Sequence, residues 1–218
     1  MKIELIVEAN KLWRKGSKND SFDLIDKFLS SFENDLEKDL WTKEYLNDFK
    51  LKIPEDGRIK NDFFIYLFER IIAPVIIKGV KNKIPYFMLW AYKLYGNFLF
   101  TRTDYYKAMG FNGLIDAIGY KSHHYLLLDL YKIAPENNEV EKLYFDTRIR
   151  QMKRSLWNNS KIFINWNPEY AKGMTCDDCQ KILNEIKILN NIDKNKEYND
   201  FLTNYENNLN KVMEKLKL

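Results

Sequence analysis

Two short stretches hold the side chains best suited to chemistry. Cys176 and Cys179 are the only cysteines in the 218 residues, and they bracket two aspartates in the run Cys176-Asp177-Asp178-Cys179. A Cys-x-x-Cys pair is half of a structural zinc site, or the thiol pair of a redox centre. The other half of a zinc site is missing, because no further cysteine exists and the only histidines, His123 and His124, stand far upstream. Neighbouring residues on a helix point ~100° apart, so one metal ion rarely uses both. A thioredoxin-type dithiol needs a strand before it and a helix after it, within a sheet. A helix start explains the residues better. Thr175 is a good N-cap, and Asp178 three residues later completes a capping box with Asp in place of the usual Glu. Asp177 and Asp178 then place negative charge at the positive end of the helix. Cys179 becomes a small, semi-buried apolar residue whose thiol the aspartates render less acidic, while the helix terminus pulls the other way.

The adjacent histidines invite a hydrolase reading, which would need further ligands or a positioned base. Asp129 is the nearest acid downstream, five residues from His124 and poorly matched to a helix turn. The chain contains no HExxH, no GxSxG, no Gly-rich phosphate loop and no GxGxxG. The sequence therefore assigns no catalytic residue, no metal ligand and no cofactor.

The best candidate for binding is the basic run from Arg148 to Trp157. Arg150 and Arg154 are four residues apart and Lys153 is three from Arg150, so these share a helix face. Arg148 precedes them, and Trp157, Phe163 and Trp166 follow. Basic side chains beside aromatic ones can contact phosphates and stack on bases. The competing reading is a solvated helix face opposite Ile149, Met152 and Leu156. Tyrosines crowd the middle of the chain (Tyr86, Tyr92, Tyr95, Tyr105, Tyr106, Tyr120, Tyr125), and a concave face lined by several of them would be a second binding surface.

The elements that must position these residues read as helices. Hydrophobic residues make up 45% of the chain and aromatic ones 15%, which excludes disorder as a whole-chain description. Only 8 Gly and 5 Pro are available for turns, too few for a many-stranded sandwich or barrel. The apolar period is 3.6 almost throughout. Ile3 to Trp13 forms a first helix stopped by Gly16. Ser21 can cap a second, and Leu36 to Phe49 continue on a third. The stretch 52–58, with Pro54 and Gly57, is a turn. Phe63 to Lys78 is apolar around most of its circumference and reads as the central helix, kinked or broken just before Pro74. Pro85 opens a second greasy helix reaching Phe100. Gly110 and Gly113 mark a corner between two short helices, and Ser122 caps a helix ending before Pro135. A long helix spans Glu136 to Trp157, with Val140, Leu143, Tyr144, Ile149, Met152 and Leu156 inward. Residues 161–166 alternate and read as an extended connector. Two final helices cover roughly 176–191 and 196–217, the last with Tyr198, Phe201, Leu202, Tyr205, Leu209, Val212 and Leu216 at core spacing. The expected fold is all-α with little or no strand: about ten helices in an orthogonal bundle or a degenerate stack of helical hairpins. It is expected as one domain over 1–218, with a subdivision near 158–175.

Charge is balanced overall, 35 basic against 31 acidic residues, but not along the chain. Residues 20–56 carry 11 acidic and 5 basic side chains, residues 58–107 carry 3 and 9, and residues 142–172 carry 2 and 7. The acidic segment is expected to lie near basic ones and offset them. The N-terminus has no signal-peptide pattern, and no stretch offers ~18 uncharged apolar residues. The sequence thus points to a cytoplasmic protein without membrane contact. Abundant Lys, Asn, Ile, Phe and Tyr reflect AT-rich codons. The expected function is non-catalytic binding of another protein, as inhibitors, immunity proteins and counter-defence proteins do, with the acidic 20–56 segment facing a basic partner. The alternative is nucleic-acid association through the 148–154 patch. A metal-dependent enzyme is third.

Overall fold

The computed structural model describes residues 2–50, 67–98, 117–120, 122–158 and 175–216. Among them the chain forms nine α-helices, one π-helical stretch and no strand. The helices are α1 (Lys2–Arg14), α2 (Lys18–Ser30), α3 (Asp35–Lys50), α4 (Ala73–Lys81), α5 (Pro85–Phe98), α6 (His123–Ile133), α7 (Asn138–Asn158), α8 (Cys176–Ile192) and α9 (Asn199–Leu216). The chain divides into two compact units, Met1–Ala134 and Pro135–Leu218. That boundary lies ahead of the 158–175 stretch singled out from the sequence. The 52–58 turn, the Gly110–Gly113 corner and the 161–166 connector lie outside the described residues.

In the first unit α1 and α2 form a hairpin. Gly16 (φ +86°) closes it: its own N–H reaches the Trp13 carbonyl, and the Ser17 N–H reaches that of Leu12, both at 3.0 Å. This is a Schellman stop in which glycine takes the left-handed position without strain. Ser21 does not cap α2, as the sequence suggested. The helix begins one turn earlier, and Ser21 is fully buried, donating its hydroxyl to the Ala9 carbonyl at 2.8 Å. A serine that looked like a cap instead ties α2 to α1. Ala9, Ile25 and Leu67 form the cluster beneath, packed by Ile6, Trp13, Leu24, Leu29 and Tyr45.

The greasy segment around Pro74 is not broken. Proline has no N–H and its ring crowds the carbonyl four residues back. The backbone answers by widening: Phe68–Ile72 is π-helical, and the Ala73 N–H bonds the Phe68 carbonyl five residues earlier. Leu67, Phe68, Ile71, Ile72, Val75, Ile76 and Val80 are all buried there, as a central helix requires. α4 then meets α5 closely at Gly79, where a Cβ would fall 2.6 Å from the Cβ of Phe87. α4 ends in a second Schellman stop, with Lys83 (φ +54°) in the left-handed position. Pro85 opens α5 as expected. Ser122 stands at the N-cap of α6, but its side chain makes no capping bond.

The second unit joins α7 to the α8–α9 hairpin. Cys179, Leu183, Ile186 and Leu189 of α8 and Leu202, Tyr205, Leu209 and Val212 of α9 are buried at three- and four-residue spacing, a coiled-coil-like seam. Val140, Tyr144, Ile149 and Met152 supply the buried side of α7. Side-chain oxygens cap the starts of α7 and α8 and brace the turn that leads into α9. Asn137 Oδ1 accepts from the Glu139 and Val140 N–H groups, Thr175 and Asp178 form the expected capping box, and the Asp193 carboxylate accepts from Glu197 and Tyr198 N–H groups. Leu216, placed in the core from its spacing, is 37% exposed at the end of α9.

Candidate binding surfaces

The basic run lies on α7, and the structure separates its members. Arg148 turns inward. Its guanidinium pairs with the Glu185 carboxylate of α8 and donates to Gln151 Oε1 at 2.7 Å. Burial holds its pKa below the ordinary arginine value, while Tyr144 and Tyr205 beside it pull the other way. Arg148 is therefore a packing element rather than part of an open patch. Trp157 belongs to α7 by its backbone, and Trp166 and Phe163 lie outside the described residues.

Arg150, Lys153 and Arg154 do come together. They line a surface groove of about 460 Å³ with Phe145, Asp146, Ile149 and Tyr198. Tyr198, at the entry to α9, presents its ring 4.6 Å from the Lys153 ammonium, and the Phe201 ring lies 5.8 Å from it. Phe145 meets Tyr198 edge to face at 5.5 Å. Cation–π contact of this kind holds a flexible lysine head in place. It also changes the chemistry of the groove. Lys153 occupies one face of the Tyr198 ring. Among the described residues, the aromatic side chains of the groove are those of Phe145 and Tyr198. Tyr198 and Phe201 had matched the core stripe of α9. Their positions at its first turn, ahead of the buried Leu202 and Tyr205, were the available signal.

A different surface stands out on α3 in the first unit. Thr42 and Leu46 are fully buried. Glu33, Leu36, Leu40, Glu44 and Asn47 face solvent, and Leu36 and Leu40 keep 67% and 51% of their surface exposed. Two leucines one turn apart thus form an apolar pair flanked by Glu33 and Glu44, with Glu37 beside them. The acidic segment contacts the basic one directly through Asp35 and Lys78, 2.8 Å apart and both well exposed.

Comparison with protein-family models, with curated proteins and with solved structures gives no match.

The remaining sequence candidates are placed as follows. Thr175 bonding holds the Asp178 carboxyl below the ordinary carboxylate range. Burial is the main cause pushing the Cys179 thiol up, with Cys176 and Asp178 adding to it. Both thiols are free, and among the described residues no three His, Cys, Asp or Glu side chains gather at one point. His123 packs beside Tyr92, and Asp129 accepts from the Tyr120 hydroxyl at 3.2 Å. Tyr86 is spent on α3, its hydroxyl 2.9 Å from the Lys43 carbonyl and from Asn47 Oδ1. Among the mid-chain tyrosines whose side chains are described, Tyr125 is the exposed one. No helix among the described residues is long and apolar enough to cross a membrane.

Proposed function

We propose that this chain acts without catalysis, by binding another protein through the outward face of α3. The observation that carries this reading is the inversion on that helix. Leu36 and Leu40 face solvent while Thr42 faces the core. An apolar pair with an acidic rim is suited to a partner surface that is apolar at its centre and basic at its edge. Such a protein needs a stable scaffold and one complementary surface, as inhibitors, immunity proteins and counter-defence proteins do.

The test compares the wild-type chain with the double variant Leu36→Asp, Leu40→Asp. A partner captured by the wild type is purified and titrated against both. The expected result is direct binding that the variant weakens at least a hundredfold, with an association rate that falls as salt rises. The reading fails if the purified partner binds both proteins equally. The variant keeps its fold because both leucines already face water, which a thermal melt verifies.

A second reading, association with nucleic acid, draws on the clustering of Arg150, Lys153 and Arg154. Its signature is retention on nucleic acid that weakens steeply between low and moderate salt. Absence of retention at low salt removes it.

A further inference from the structure

We infer that the groove on α7 is a binding site for a phosphate group, held by Arg150, Lys153 and Arg154. Three observations meet here. The first is a cavity of about 460 Å³, inside the ~300–1,000 Å³ range of ligand pockets. The second is the state of its cations. Arg150 and Arg154 make no ion pair or hydrogen bond among the described residues, and Lys153 has only its aromatic partners, so their N–H donors remain available. The third is charge. Among the described residues, three cations and one carboxylate, Asp146, line the groove, which leaves two positive charges in excess. A phosphate monoester carries about −1.5 to −2 at neutral pH and matches that excess, whereas a carboxylate leaves half of it unmet.

The geometry is favourable to this chemistry. Arg150 and Arg154 lie one turn apart on the same face, and each offers a planar fork of donors that fits phosphate oxygens in pairs. Lys153 is already held over Tyr198, so its ordering on binding costs little. Phe145 and Ile149 add an apolar wall beside the cations, which suits an ester whose organic part is a flat ring. An aryl phosphate should therefore bind more tightly than inorganic phosphate, and benzoate more weakly than either.

Titration of the whole protein, followed by NMR shifts of the α7 and α9 amides, tests this with phenyl phosphate, inorganic phosphate, benzoate and a short single-stranded oligothymidylate. The expected result is saturable binding of phenyl phosphate centred on Phe145 to Arg154 and Tyr198. Lys153→Ala should weaken it about tenfold or more, and Arg150→Ala with Arg154→Ala should weaken it further, since each removes charged donors. All three residues are exposed, so the variants keep the native fold, which their spectra confirm. If the oligonucleotide competes for the same amides with a steep salt dependence, the phosphate comes from a nucleic-acid backbone. If it does not compete, the source is a small ester. The inference is overturned if phenyl phosphate causes no saturable shifts at low salt, if benzoate binds as well, or if the variants bind unchanged. None of these outcomes bears on the α3 face, so the two proposals stand or fall separately.

Discussion

Arg148 of α7 reaches the Glu185 carboxylate of α8, and the two side chains keep only 11% and 14% of their surface exposed. Arg150, two residues along the same helix, stands in solvent and lines the groove. One basic run thus supplies both an interior clamp and an open site, and the helix turn decides which residue does which.

Removing Arg148 takes the paired cation away from Glu185. Arg148→Ala should destabilise the second unit by about 3–5 kcal/mol, because Glu185 would be left nearly buried without its cation. Replacing both, with Arg148→Met and Glu185→Leu, should recover most of the loss. Urea unfolding of the three proteins is the check, and equal losses in the single and double variants would refute the account.

Thr42 presents a hydroxyl to the core of the first unit with no hydrogen-bond partner among the described residues. Thr42→Val keeps the shape and removes that cost. It should raise stability by about 1 kcal/mol, seen as a higher melting temperature.

The two Schellman stops place different residues in the left-handed position. Gly16 occupies the left-handed position after α1, and Lys83 occupies it after α4. A side chain there costs ~1–2 kcal/mol, and glycine's extra freedom in the unfolded chain returns ~0.5–1 of that. Lys83→Gly should therefore stabilise by up to about 1 kcal/mol. Gly79→Ala, four residues earlier, should do the opposite by about 1–3 kcal/mol, because its new methyl would clash with the Phe87 side chain of α5.

Acid should loosen the start of α8. The Asp178 carboxyl has a lower pKa folded than its ordinary 3.8. Its contribution is complete above the unfolded value and is lost as pH falls through the folded one. The protection of the first-turn amides of α8, corrected for the intrinsic exchange rate at each pH, should be constant from neutrality to about pH 5 and fall below about pH 4. Asp178→Asn should abolish that step, and a step that persists in the variant would assign it to another group.

Thiol labelling should separate the cysteines. Cys176 is half-buried and Cys179 fully buried, with its thiol pKa raised. An alkylating reagent should modify Cys176 in the native protein and Cys179 only on unfolding, as peptide mass spectrometry would show.

Much of this architecture could be read directly from the letters. Gly16, Pro85 and the Thr175–Asp178 capping box mark helix ends through interactions reaching only three to five residues, so local chemistry suffices to place them. Pro74 was legible as a disturbance, but not as a π-helical widening, because the buried residues around it hold the helix together against the lost hydrogen bond. Ser21 misled for a related reason. Its type favours a cap, and only the nearness of the Ala9 carbonyl, twelve residues earlier, shows its use.

The candidate sites were less legible. The pairing of Arg150, Lys153 and Arg154 follows from helix spacing alone. That Arg148 leaves them for Glu185, that Tyr198 and Phe201 leave the core stripe to hold Lys153, and that Leu36 and Leu40 point outward do not. By itself the sequence determined that the chain is helical, where many of its helices begin and end, and which residues share a face. Only the tertiary structure decided which way each face turns. A helix can rotate about its axis without losing a single backbone hydrogen bond, and its neighbours alone set that angle.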